Sequence, residues 1–168
     1  MNTIEQLAAE QGFDFMGTCS AKELVARPEV RAMCSANKCQ VYGHSWACPP
    51  ACGEIEDFEQ QMHEFEHCLV VQTVTEMEDD FDVEAIEEGG ELQKRRVLDL
   101  VEAIDQAGLS AETMTLSAGT CTLCKECTYP DERAVSRTSA SSRWRLPGWS
   151  SRKSACKQAS RITTARKP

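Results

Sequence analysis

No apolar run in this chain of 168 residues is long enough to cross a bilayer, and no positively charged start leads into an apolar stretch. Those absences set aside a membrane protein and a secreted one, and the expectation is a soluble cytoplasmic protein. No glycine-rich phosphate loop, no Ser/His/Asp arrangement and no H-E-x-x-H pattern is present. Apart from the cysteines no general base or nucleophile stands out, so the sequence makes no enzyme assignment. There is no internal repeat. Finally, acid is missing from one end: residues 133–168 hold no Asp or Glu, although the chain has 27.

That last absence makes the net charge of −9 misleading. Residues 1–132 carry every acid against 8 Lys+Arg, a balance of −19, and residues 133–168 carry the remaining 10 Lys+Arg, a balance of +10. A basic tail ordinarily suggests an anionic partner. The break in composition also suggests two parts, a cysteine-rich domain at 1–132 and a low-acid tail at 133–168, the latter frame-shifted or disordered.

What the chain has in abundance is cysteine, ten in all. Without a secretion signal, that number points to metal ligation or redox chemistry rather than a disulfide framework. The inference is carried by the clustered cysteines and hardly at all by the isolated Cys19, Cys68 and Cys156.

Local patterns predict the scaffold. "TIEQLAAEQGF" reads as a helix capped by Thr3 and stopped at Gly12, with a strand through Phe13, Phe15 and Met16. "RPEVRAMC" reads as a helical turn after Pro28 that delivers Cys34. Ile55, Phe58, Met62 and Phe65 fall at helical intervals, and "HCLVVQTVT" is an apolar, β-branched strand. A long helix is expected over 83–107, with Val97, Leu100, Val101 and Ile104 on its buried face and Gly108 at its end. "AETMTLSAG" is expected to be a short strand feeding Cys121. The implied fold class is α/β (α+β), a small central sheet with flanking helices and two cysteine-rich metal loops gathered at one end.

Cys121, Cys124 and Cys127 form C-x2-C-x2-C. Three thiolates at this spacing wrap one side of a cubane cluster, with a fourth ligand from farther along. Zinc sites usually use separated pairs, so the evenly spaced third cysteine favours iron–sulfur, 4Fe-4S, over zinc. The small residues of "SAGT" before it let backbone amides approach cluster sulfurs. The plain alternative is three buried cysteines packed as small apolar residues.

The other cluster is Cys34-x4-Cys39-x8-Cys48-x3-Cys52, within "CSANKCQVYGHSWACPPACG". Pro49 and Pro50 fix an extended turn and remove two amide donors, while Gly43 and Gly53 permit tight loop geometry. Tyr42 and Trp46 can roof a site and keep water from it. Such a loop gives up regular structure because metal bonds replace the missing scaffold. Iron–sulfur is favoured over zinc here too, and Cys52 has a second reading as a residue facing the core. His44 reads as a surface histidine, and His63 and His67 carry no chemistry. The acidic run "EMEDDFDVEAIEEGGE" reads as a solvated helix entry.

The stretches "C…C…YG.SW.CPP..G" at 34–53 and "LSAGTCTLCKEC" at 116–127 resemble a family of bacterial and archaeal predicted metal-binding proteins, a domain of unknown function. The resemblance covers roughly residues 1–132. It implies cysteine-ligated metal, iron–sulfur foremost, and no established reaction. The family pattern continues past the third cysteine with Pro-Cys-Arg-x-Pro, where this chain has "DERAVSRTSASSRWRLPGWSS". Back-translating Arg133 to Thr138 and starting one base earlier permits Pro-Cys-Arg-Phe-Pro-Asp. Farther on, "RWRLPGWSS" re-reads with Met-Glu-Ala and then a Gly-Leu-Val-Val run. Both matches in one register point to a base lost near codon 132 or 133, and with it a late ligand. Three functions follow in order: an iron–sulfur protein carrying electrons to or from a redox partner protein; a zinc protein whose cysteines staple loops; and a basic-tailed nucleic-acid-binding module. The last needs residues 133–168 to be genuine.

Overall fold

The computed structural model describes residues 3–117, 119–121 and 126–131. Helix α1 (Ile4–Glu10) starts where expected: Thr3 Oγ1 accepts from the Gln6 amide at 3.3 Å, and the Gln6 side chain accepts from the Thr3 amide at 2.9 Å. This reciprocal capping satisfies two donors that a helix start leaves without partners. Strand β1 (Phe15–Ser20) follows, then a 3-10 turn at Ala21–Glu23. Helix α2 (Pro28–Ser35) has Pro28 in its first turn, where a missing amide costs nothing. Helix α3 (Ile55–Met62) ends one turn short of Phe65, and strand β2 (His67–Gln72) takes over. The long helix α4 (Val83–Gln106) is capped by Asp82, whose side chain accepts from the Ala85 amide at 3.0 Å.

The fold is α+β. Strands β1 and β2 pair antiparallel from Phe15↔Gln72 to Ser20↔His67, with Cys19 opposite Cys68. A bare two-stranded ribbon is marginal in water and needs packing on one face. Here Leu69 and Val71 of β2 pack on a core of Leu7 and Ala8 from α1 with Leu100 and Ile104 from α4. The alternation of a strand then puts Cys68 and Val70 on the other face, with Phe15 and Cys19 beside them. Phe15 and Val70 are exposed on that face. The stripe expected on α4 is the buried one, Val97, Leu100 and Ile104, with Val101 half-buried. No helix among the described residues is long and apolar enough to cross a membrane.

One element differs. The strand expected over 111–119 is not formed among the described residues; a 3-10 turn occupies Ser110–Glu112 and the sheet stays two-stranded. Ser110 Oγ donates to Asp105 Oδ1 at 2.9 Å, and Thr113 Oγ1 donates to the Leu109 carbonyl at 3.3 Å. These local bonds fold the chain back on the end of α4 and compete with strand pairing.

The end of the sheet is tied to α4 by Arg96, whose Nη1 donates to Asp14 Oδ2 at 2.9 Å and to Thr73 Oγ1 at 3.0 Å. Asp14 Oδ2 also accepts from the Val74 amide at 3.0 Å. That amide, followed by Arg96, holds the Asp14 carboxyl below its usual range. A carboxyl depressed in the folded state stabilises the fold above its unfolded value and loses that contribution as pH falls through the lower, folded one. Asp14→Asn is therefore expected to flatten the acid limb of stability below about pH 4, measured as the urea midpoint against pH. The effect is modest, because the pair is partly exposed and screened by salt.

Candidate metal centre

Helix α2 presents Arg31 and Cys34 three residues apart, hence on one face. From there Arg31 reaches 21 residues onward: Nη1 donates to Cys52 Sγ at 3.2 Å and Nη2 to the Gly53 carbonyl at 2.7 Å. Cys52 is 1% exposed. It is the most enclosed cysteine described, and it faces an arginine as well as the interior. A cation hydrogen-bonded to sulfur stabilises the thiolate, the ligand form.

Between the two ends the loop is held by turns rather than by helix or strand. The Asn37 amide donates to the Cys34 carbonyl at 3.0 Å, and Asn37 Oδ1 accepts from the Tyr42 amide at 3.0 Å. Asn37 (φ 49°) and Gln40 (φ 57°) are left-handed, flanking Cys39. Asparagine tolerates that region; for Gln40 it costs about 1–2 kcal/mol. Gly43 (φ 72°) donates its amide to the Pro49 carbonyl at 2.8 Å, closing the loop across Trp46. Gly53, at φ 99°, occupies backbone that a side chain would strain. The Cys52 amide donates to the Cys48 carbonyl at 3.1 Å, so these two cysteines sit one helical turn apart across the cis Pro49–Pro50 bond.

Cys34 and Cys48 are half-buried, and Cys39, Cys121 and Cys127 are exposed. Cys124 lies outside the described residues. The eight described cysteines are thiols without a disulfide, as a ligand or redox role requires. Among the described residues no three His, Cys, Asp or Glu side chains converge on one point that could hold a metal ion. The four cysteines of 34–52 thus share a loop without closing on a centre. The second segment is described only at its two ends.

The first cysteine loop touches the chain just after the second segment. Trp46, two residues before Cys48, packs edge-on against Tyr129, two residues after Cys127, with ring centroids 5.0 Å apart. Such pairs add about 0.5–1.5 kcal/mol beyond their buried area. Trp46 thus joins the first cysteine loop to the residues that follow the second. His44 is exposed, His63 Nε2 is bonded to the Leu24 carbonyl at 2.8 Å, and His67 is exposed beside Glu66.

Sequence reading missed Arg31 and Tyr129. Arg31 stands one helical turn before Cys34, which is a faint signal, but nothing local shows that it reaches Cys52. Arg31→Ala removes the charged donor that reaches both the buried sulfur and the Gly53 carbonyl, and is expected to lower stability by about 1.5–3 kcal/mol in urea. Arg31→Lys should restore only part, because one ammonium cannot reproduce a planar fork that reaches two acceptors.

Neither the curated proteins nor the solved structures contain a significant match to this chain. A family model does match, over residues 18–159, from within β1 across the composition break at 133. With that span, most of its length, the chain belongs to the predicted metal-binding protein family DUF2284.

Proposed function

We propose that the protein is a cytoplasmic iron–sulfur protein with a redox or electron-transfer role, serving a redox partner protein. Its ligands are drawn from Cys34, Cys39, Cys48 and Cys52 and from Cys121, Cys124 and Cys127. The observation that supports the proposal is the Trp46–Tyr129 contact, which sets a residue of the first cysteine loop against one two residues past Cys127. The even triplet spacing supports iron–sulfur over zinc, and Arg31 at Cys52 suits a negatively charged thiolate centre. A 4Fe-4S cluster, when bound, supplies one-electron transfer. The chain's own residues supply thiolates, a cation and an aromatic cover that limits water.

The same reading takes residues 133–168 as the product of a lost base, so that the intact frame carries a further cysteine after Cys127. A nucleic-acid partner then has no basis, since the basic arm would not belong to the native chain.

The test is spectroscopic. Protein purified without oxygen should be brown, bleach on reduction with dithionite and give a paramagnetic resonance signal when reduced. A colourless, zinc-loaded protein would overturn the proposal. Trp46→Ala should hasten bleaching of the colour by air severalfold, because it opens the cover over both segments.

A further inference from the structure

Cys19 and Cys68 belong to neither cysteine loop, yet the fold sets them face to face. They are register partners in the β1–β2 ribbon and lie on the face turned away from the core. The Ala21 amide donates to the Glu66 carbonyl at 3.2 Å. Ala21 and Glu66 are the next in-phase positions, so Cys19 and Cys68 form a hydrogen-bonded pair, for which Cα atoms stand about 5.5 Å apart. Disulfides span about 5.5–6 Å between Cα atoms most often. The two side chains leave the same face at directly opposed positions, and the neighbouring Cys19, after burial, raises the Cys68 thiol above its ordinary range. Both are half-buried, so a small reagent can reach them.

We propose that Cys19 and Cys68 are a redox-modification site, a dithiol that closes reversibly to a cross-strand disulfide in exchange with a low-molecular-weight disulfide such as oxidised glutathione. The Cys19 thiolate attacks one sulfur of the reagent, forming a mixed disulfide. The expelled thiolate takes up the proton that Cys19 released. The Cys68 thiolate then attacks Cys19 Sγ and expels the second small thiolate, which takes the Cys68 proton. Two protein thiols lose two electrons, and one small disulfide becomes two small thiols. Burial and the neighbouring Cys19 push the Cys68 thiol up, so Cys68 holds its proton longer than an ordinary thiol and suits the resolving step. The pair stands at the neck of the excursion that carries Cys34 to Cys52, so the bridge would join the two strands from which that loop leaves and to which it returns.

The test uses the full chain with its metal in place, equilibrated in glutathione buffers of rising oxidised fraction, acid-quenched, alkylated and digested for mass spectrometry. The expected result is one cross-linked species joining the Cys19 and Cys68 peptides, formed reversibly and ahead of any pairing among the loop cysteines. In Cys68→Ser a glutathione adduct should build up on Cys19, because the thiol that resolves it is gone. Singly alkylated Cys19 and Cys68 throughout the series, or bridges from either one to a loop cysteine, would overturn the proposal. So would a Cys68→Ser protein whose Cys19 takes no adduct.

Discussion

Serine at Cys121, Cys124 and Cys127 together is expected to abolish metal loading at the second segment while the fold survives. Removing ligands outright exceeds the roughly 10–100-fold in metal affinity that losing a ligand's supporting partner costs. A hydroxyl is also a poor substitute for thiolate toward iron or zinc. Among the described residues, the core of Leu7, Ala8, Leu100 and Ile104 draws on none of this segment, so far-ultraviolet circular dichroism should be retained. Cys19→Ser is the matched control, since Cys19 lies on the ribbon and should leave metal content unchanged. Metal analysis of the purified variants checks both expectations. Equal metal in the triple variant and the parent would remove the triplet from the site.

Leu100→Ala is expected to have the largest effect on stability, a loss of about 2–5 kcal/mol. Leu100 is 6% exposed in the middle of the α4 stripe, packed with α1 and facing Leu69 and Val71 of the sheet. Among the described residues the ribbon has two strands and leans on this contact, so it cannot collapse into the cavity without giving up its own support. Domains of this size are stable by only about 5–15 kcal/mol, so the variant loses a large share of its margin. The urea midpoint at fixed pH measures it. Ile104→Val, which removes one methyl group, should cost about 0.5–1.5 kcal/mol by the same measurement.

The helices were legible because their signals are local. Thr3 with Gln6, Pro28 at a helix start and the 97–100–101–104 stripe each act within a turn or two of chain. The strand at 111–119 was misread because its β-branched and apolar residues fit a pleat, while Ser110 and Thr113 find nearer partners at the end of α4. The cysteines proposed as ligands and the aromatic Trp46 are legible from spacing. Arg31 and Tyr129 could not, since each acts across a distance that only the fold closes. Cys19 and Cys68 look isolated in the sequence for the same reason: strand register makes them a pair.

The proposed lost base would place the change of composition after residue 132 in the gene, although the family match runs on to residue 159. Resequencing across codons 125–140 should find one additional base and restore a Pro-Cys-Arg reading. A clean read in the present frame would contradict the frame shift and return the basic tail to consideration.

The measurement that bears most directly on the central claim is iron, acid-labile sulfide and zinc per chain in protein purified without oxygen. The account predicts iron and sulfide in near-equal amounts, a few atoms of each per chain, with little zinc. Zinc without sulfide would contradict it, and would make the loops around Cys34–Cys52 and Cys121–Cys127 structural staples.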